Sequence, residues 1–381
     1  MSKKISLSEP NFCGNEKKYL KDCIDSGWVS SAGSYVDRFE ESIARYTGVK
    51  KAISIVNGTS AIHLALKIAG VKPGHEVIAP TLTFIAPINA ISYLGAKPVF
   101  MDSDPFFNID IEKTVEFLNN KVKYKNGKNI NKDTGNIVQA ILPVHIFGTP
   151  IDLAELVNIC TDRNIKIVED ASESLGSFVT SQKIHSGTMG DMGCISFNGN
   201  KIITCGGGGM IITNSDDYAK QAQYLSTQAK DDPFHFLHHE IGFNYRLTNI
   251  QAAIGLAQLE KLEEIKIKKD KIHRSYQELL SDKEDIHLIS PAKNLDSNYW
   301  LNVIRFSNQD LQKIAVKKFI SEEIEVRPIW HLNHLQVPYR DSYTYKIENA
   351  PFQIETSLCL PSSSGMTEEQ FKRIRAGIKV L

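Results

Sequence analysis

Lys51-Ala52-Ile53-Ser54-Ile55-Val56 leads straight into Asn57-Gly58-Thr59-Ser60-Ala61, and the largely apolar stretch Ile62 to Ala69 follows without a break. A β-branched run, a glycine-containing turn and an apolar helical stretch make a strand–turn–helix unit. Outward from it, strand-like runs recur at 76–79, 98–101, 138–142 and 165–168, with helical runs at 84–94 and 151–163 between them. Alternation of this kind predicts an α/β fold around a mostly parallel sheet covered on both faces. Two further strands, 193–197 and 209–213, bracket a loop that carries Lys201 and bring the expected sheet to seven strands.

Helices are expected over 15–26 and 37–47, the latter with an apolar stripe of Phe39, Ile43 and Tyr46. A long amphipathic helix is expected from Asn249 towards Leu280, with Ile250, Ile254, Ala257, Leu259 and Leu262 on its buried side. It divides the chain into a large unit, 1–255, and a smaller C-terminal α+β unit, 256–381, with a strand at 299–306 and a helix at 309–321. The N-terminal segment is free to pack with the smaller unit. The stretch 119–137, with five lysines among Asn and Gly, reads as a solvated insertion.

Composition narrows the function. The 381 residues are 42% hydrophobic and 23% charged, and 44 Lys+Arg balance 44 Asp+Glu. A neutral chain of this kind is expected to take neither nucleic acid nor a membrane as partner. No apolar run approaches about 18 residues, and Met1 to Pro10 has no apolar leader core, so a cytoplasmic location is expected. The six cysteines lack CxxC or metal-ligand spacing and are expected to be reduced, with Cys205 a small packing residue and no metal site.

Lys201 ends the run Ser196-Phe197-Asn198-Gly199-Asn200-Lys201, and four glycines follow at Gly206 to Gly209. Glycines allow backbone or a flat ligand to come close. A partly desolvated amine loses its proton more readily and attacks aldehydes. The arrangement points to a Schiff-base lysine and to pyridoxal 5′-phosphate (PLP). Such a site also needs a carboxylate for the pyridine nitrogen, a phosphate cradle and an aromatic face. Asp170, ending the strand before Ala171-Ser172-Glu173-Ser174, supplies the first or caps a helix. The turn at Gly58, Thr59 and Ser60 opens a helix, where free N–H groups and the dipole favour an anion; Ser196 offers a hydroxyl to the same group. Phe84, after another strand end, is a candidate for the aromatic face or a core residue.

The chain resembles the DegT/DnrJ/EryC1/StrS sugar aminotransferases, of PLP fold type I (aspartate aminotransferase-like). The matching stretches are Asn57–Ala61, Pro80–Phe84, Glu169–Gly176, Ser196–Lys201 and Gly242–Asn249, in the family's order over nearly all of the chain. The resemblance implies that Lys201 bonds the cofactor and shuttles protons, Asp170 pairs with the ring nitrogen and Phe84 stacks on the ring. It places Gly58, Thr59, Ser60, Ser196 and Asn198 around the cofactor, and Asn244 on the phosphate of the other subunit of a homodimer. Glu173 stands where many members carry His or Gln beside the ring hydroxyl. The family's dehydratases have histidine in place of the lysine, so Lys201 argues against that activity.

A finer likeness is to the branch that makes 4-amino sugars for legionaminic acid, carried by Ser8–Glu16, Gly27–Gly33, Asn198–Lys201 and Arg327–Trp330. It implies a nucleotide-linked 2-acetamido-4-keto-2,6-dideoxyhexose as substrate, as in bacillosamine-type sugars, and L-glutamate as donor. Trp28, Ser30 and Ser31 are candidate substrate contacts or a plain helix connection. Arg246 fits a fork for diphosphate or carboxylate, or a structural ion pair. Arg327 and His334 are expected near the sugar, while His331 and His334 lack a third metal ligand. His145 and His185 are weaker candidates. Alternatives are amination at C3, amination of another 4-keto sugar such as a perosamine precursor, a PLP- or nucleotide-sugar-binding sensor without turnover, and an NAD-binding protein. The last lacks GxGxxG at its first strand–helix turn.

Overall fold

The computed structural model describes residues 4–181 and 183–379. Among these, eight strands form one sheet in the order Lys51–Ile55, Gly209–Thr213, Met192–Ser196, Lys166–Asp170, Val138–Ile141, Glu76–Pro80, Lys97–Met101 and Tyr343–Tyr345. Gly209–Thr213 pairs antiparallel with both its neighbours; the other pairings are parallel. The mostly parallel sheet is as expected, but it has eight strands rather than seven. The eighth, Tyr343–Tyr345, comes from the C-terminal unit and is too short to read as a strand from sequence.

Helices cover both faces. Successive strand residues point to opposite sides: Cys194 packs with Ile62, Leu64 and Leu66 of helix Gly58–Ile68, and its neighbour Ile195 packs with Phe39 and Ile43 of helix Ser34–Thr47. Phe39 meets Phe197 with ring centroids 5.0 Å apart. Cys205 lies in the same layer, where a Cβ on Gly255 would come within 2.5 Å of its sulfur. That agrees with a packing role, and burial pushes its thiol upward.

The expected long helix is two helices, Asn249–Leu259 and Leu262–Leu280. At the break, Glu260 accepts hydrogen bonds from Tyr19 (2.6 Å) and Asn15 (2.7 Å). This tertiary contact has no Gly or Pro to announce it. The insertion 119–137 contains a hairpin, Val122–Lys125 with Lys128–Asn131. Its turn is Asn126-Gly127, both at positive φ, a strong local hairpin signal that the lysine-rich composition hid. Asn131, Thr134 and Asn136 pin it to the buried Glu76.

The C-terminal part builds a four-stranded antiparallel sheet, Ile286–Leu288, Asn302–Phe306, Ser357–Leu360 and Arg327–Pro328. A boundary at 255/256 is crossed in both directions: Ile5 bridges Ile324, and Tyr343–Tyr345 joins the large sheet. Asp102 fastens that return. Fully buried, it accepts from the amides of Glu348 (3.0 Å), Asn349 (2.9 Å) and Ala350 (3.0 Å), and from Lys113 at 2.7 Å.

Burial alone would raise the Asp102 carboxyl, but these donors outweigh it and hold it below the usual 3.8. A depressed folded-state value gives stability that is present above the unfolded value and lost as pH falls through the folded one. Asp102→Asn is therefore expected to cost about 3 kcal/mol near neutral pH, with the deficit shrinking below pH 3.8. Denaturant titration at several pH values checks this.

Candidate active site

Several strands end at one edge of the large sheet, and the turns beyond them close on a cavity of about 350 Å³. Binding at the carboxyl ends of parallel strands is the rule for open α/β sheets. The strand Lys51–Ile55 delivers the turn Asn57 to Thr59, and Lys166–Asp170 delivers Asp170. Met192–Ser196 delivers Ser196 and, four and five residues into the following loop, Asn200 and Lys201.

The turn at Asn57 shows how backbone shape makes an anion cradle. Asn57 Oδ1 accepts from the Ser60 amide at 2.8 Å and caps helix Gly58–Ile68. The amides of Gly58 and Thr59 precede the first helical acceptor and remain available. Glycine is obligatory at two places. A Cβ on Gly58 would lie 2.7 Å from Ser196 Cβ and 3.3 Å from Ser172 Oγ; one on Gly209 would lie 2.5 Å from the Asn57 carbonyl. Helix dipole, free amides and the Ser196 and Ser172 hydroxyls thus converge.

Lys201 Nζ lies 3.1 Å from Glu173 Oε1 and 4.1 Å from the centroid of the Trp300 ring. Glu173 also accepts from the Phe147 amide at 2.8 Å. Asp170 is 3% exposed and accepts from the Ser172 amide at 3.0 Å; no ion pair to it is formed among the described residues. Burial pushes both carboxyls above their ordinary values. The Ser172 bonds and the Lys201 charge pull Asp170 back in part, and Lys201 and the Phe147 amide do so for Glu173.

The mouth is aromatic. Phe84, about half exposed, sits 6.2 Å from Trp330, which stacks on Phe147 at 5.0 Å. Trp300 and Trp330 are the aromatic site residues that sequence reasoning missed, and the Ser172 hydroxyl was missed with them. Each tryptophan lies just outside a strand of the smaller sheet, and nothing local links it to Lys201. Their signal was rarity, since the chain has three tryptophans.

Lys201, Asp170, Glu173, Ser196, Asn198, Phe84, Gly58 and Thr59 all line this cavity. Ser60 lies one residue deeper and is buried in the helix. Other expected residues lie elsewhere. Arg246 adopts the ion-pair alternative, bonding Glu40 at 2.7 Å and the Ser54 carbonyl at 3.2 Å. Arg327 is exposed and bonds Glu325 at 2.8 Å. His334 bonds Thr81 at 2.6 Å behind the loop that carries Phe84. The segment of Trp28, Ser30 and Ser31 is exposed, and the carbonyls of Trp28 and Ser30 accept from Asn249. Asn244 is exposed and lies off the cavity of its own chain. His145 and His185 are structural: His145 bridges Glu169 (2.8 Å) and the Ile151 amide (3.0 Å), and His185 accepts from the Gly176 amide (2.8 Å).

Residues 11–379 match the model of the DegT/DnrJ/EryC1/StrS aminotransferase family. The chain belongs to this family. It is 36% identical to a GDP-perosamine synthase of Caulobacter vibrioides over 98% of this chain and 97% of that one. It is also 36% identical to a putative pyridoxal phosphate-dependent aminotransferase, EpsN, of Bacillus subtilis, covering 98% and 95%. A crystal structure of a DegT/DnrJ/EryC1/StrS aminotransferase from Brucella abortus superposes with a TM-score of 0.87 at 26% identity, covering 96% and 95%. The fold is PLP fold type I, and the enzyme is a PLP-dependent sugar aminotransferase.

The residues present fit that cofactor. Asp170 is a buried carboxylate in want of a cation, which a protonated ring nitrogen supplies. The turn at Gly58 offers amides and hydroxyls to a phosphate, and Lys201 lines the same cavity. Bound PLP would act as an electron sink. Beside it, Lys201 would offer an amine able to hold or move a proton, Asp170 a negative charge, and Phe84, Trp300 and Trp330 an aromatic wall.

Gly58→Ala should overpack the cradle by about 1–3 kcal/mol, which, if lost from binding, is about five- to 150-fold in affinity. Titrating the apo form with PLP by absorbance checks this; unchanged affinity would show that the phosphate lies elsewhere.

Proposed function

We propose that this chain aminates C4 of a nucleotide-linked 4-keto-6-deoxyhexose, with L-glutamate as amino donor. The observation that carries the reading is the convergence of Lys201, Asp170 and the Gly58 turn on one cavity, in a chain similar over its whole length to a GDP-perosamine synthase. Lys201 Nζ takes the proton from the α-carbon of glutamate and, in the second half of the cycle, delivers one to sugar C4. Asp170 holds its negative charge beside the ring nitrogen throughout. Glu173, 3.1 Å from Lys201, restrains that amine between transfers.

A cavity of about 350 Å³ holds the cofactor and one reacting sugar ring or amino acid. The nucleotide lies along the surface beyond Phe84 and Trp330. The reading includes a homodimer with shared sites, in which Asn244 of a second copy reaches the cofactor phosphate at the Gly58 turn. Asn244→Ala should weaken PLP binding while leaving the thermal transition of the apo form unchanged.

Two sugars compete. Similarity to a GDP-perosamine synthase favours a GDP-linked 4-keto sugar with a 2-hydroxyl. The stretches Gly27–Gly33 and Arg327–Trp330 favour the 2-acetamido sugar of legionaminic acid synthesis. The PLP-loaded protein should lose its visible band on adding L-glutamate, and Lys201→Ala should abolish the response. Each keto sugar is then offered to the glutamate-treated enzyme, and the one that restores the band is the substrate. A band that glutamate leaves unmoved would sink the donor assignment.

A further inference from the structure

Lys269 lies on helix Leu262–Leu280 and is buried, at 3% exposure. It has no carboxylate partner among the described residues. Its Nζ donates to the carbonyls of Trp300 at 2.9 Å and Ser362 at 2.7 Å. Burial pushes the amine down to about 7. An amine donates to both carbonyls whether charged or neutral. A buried lysine without a counter-charge costs stability, and a methionine or leucine would fill the space at lower cost. The amine is therefore suited to a task other than stabilising the fold.

One turn along the same helix face, His273 stacks on Tyr299 with centroids 4.0 Å apart and bonds Asn302 at 2.7 Å. The helix thus grips the corner Asn298 to Asn302 at several points. That corner carries Trp300, whose ring lies 4.1 Å from Lys201 Nζ and whose indole N–H donates to the Asn200 carbonyl at 2.7 Å. From the other side, Asn298 Oδ1 accepts from the Trp300 amide at 2.8 Å, and its Nδ2 donates to the carbonyl of Glu173 at 2.9 Å. A continuous set of short contacts therefore runs from Lys269 through Trp300 to the reactive lysine.

We infer that Lys269 is a positioning residue for transamination: by holding the Trp300 and Ser362 carbonyls it seats the Trp300 ring against Lys201 and the Asn200 carbonyl, and so sets the direction from which the Lys201 amine works. This rests on Lys201 being the amine that carries the chemistry. Trp300 and Glu173 both confine Lys201. Without Lys269 the corner keeps its backbone path and its His273 contacts but loses the anchor at the Trp300 carbonyl, so the indole ring is held by its Asn200 bond alone on the side facing Lys201.

The test uses the PLP-loaded protein and the variants Lys269→Met, Lys269→Gln, Trp300→Phe and Lys201→Ala. Lys269→Met should fold and bind PLP, and its KM for glutamate should stay within about twofold while kcat of the glutamate half-reaction falls about tenfold, the signature of a misplaced reacting group. The pH at which the visible band titrates should move, and in the same direction as in Trp300→Phe. Lys269→Gln, which keeps one donor, should fall between wild type and Lys269→Met. The double variant Lys269→Met/Trp300→Phe should be no worse than the worse single one, because both act through one ring.

A wild-type kcat and titration midpoint in Lys269→Met would overturn the inference, as would fully additive effects in the double variant. If neither Lys269 variant folds, the amine is a structural prop and the inference also falls. If Lys201→Ala keeps the glutamate-sensitive band, the reading of Lys201 fails and takes this one with it. If Lys201→Ala loses the band while Lys269→Met behaves as wild type, only the role of Lys269 is lost.

Discussion

Two carboxylates, Asp170 and Glu173, share a buried hollow with one amine, Lys201. The balance is one positive charge short. In a medium of low polarisability such an excess raises the carboxyl values, as burial does for both residues. A ligand bringing a cationic ring nitrogen and an aldehyde answers both halves of the problem: it neutralises Asp170 and engages the amine. A phosphate on the same ligand needs its own compensation, and the Gly58 turn provides it with amide dipoles rather than a full charge. The architecture around the hollow serves to hold these groups at fixed separations.

That holding is done by two sheets. The large one brings Asp170, Ser196 and the Asn57–Thr59 turn to one edge because its parallel strands must end together. The smaller one brings Trp300 and Trp330 from outside. Asn298 is the hinge between them. Its amide reaches the carbonyls of both Glu173 and Leu175, so the corner before Trp300 is tied to the loop that carries Glu173. Side chains from distant parts of the sequence thereby become neighbours of Lys201 with little freedom to drift.

The large unit was readable from sequence because its signals are local. Apolar runs of the right length, a glycine at each tight approach and a carboxylate at a strand end are visible within a few residues. Lys201, Asp170, Ser196 and the Gly58 turn were found that way, and they do meet. The division of the long helix at Glu260 was not readable, since it follows from a contact with Tyr19 and Asn15 far away in sequence. The Asn126-Gly127 hairpin was readable and was outweighed by its charged surroundings. Arg246 looked like a ligand because guanidinium forks so often are; the carboxylate that claims it, Glu40, lies 206 residues upstream on helix Ser34–Thr47. Trp300 and Trp330 depend wholly on how the second sheet docks, which no periodicity encodes.

The short strand Tyr343–Tyr345 lies at the open edge of the large sheet, on Val99 to Met101. Exposed edges with unpaired amides invite pairing with other chains. Here that edge is sealed by residues that lie far along the chain from the strand they cover. Without them, Lys97–Met101 would present its backbone to whatever strand is nearby. The two units are therefore not modules that could be separated or recombined at the helix boundary. A fragment ending near residue 255 would carry Lys201, Asp170 and the Gly58 turn without Trp300 and Trp330, and with an unprotected flank, so its fate would be self-association rather than independent folding.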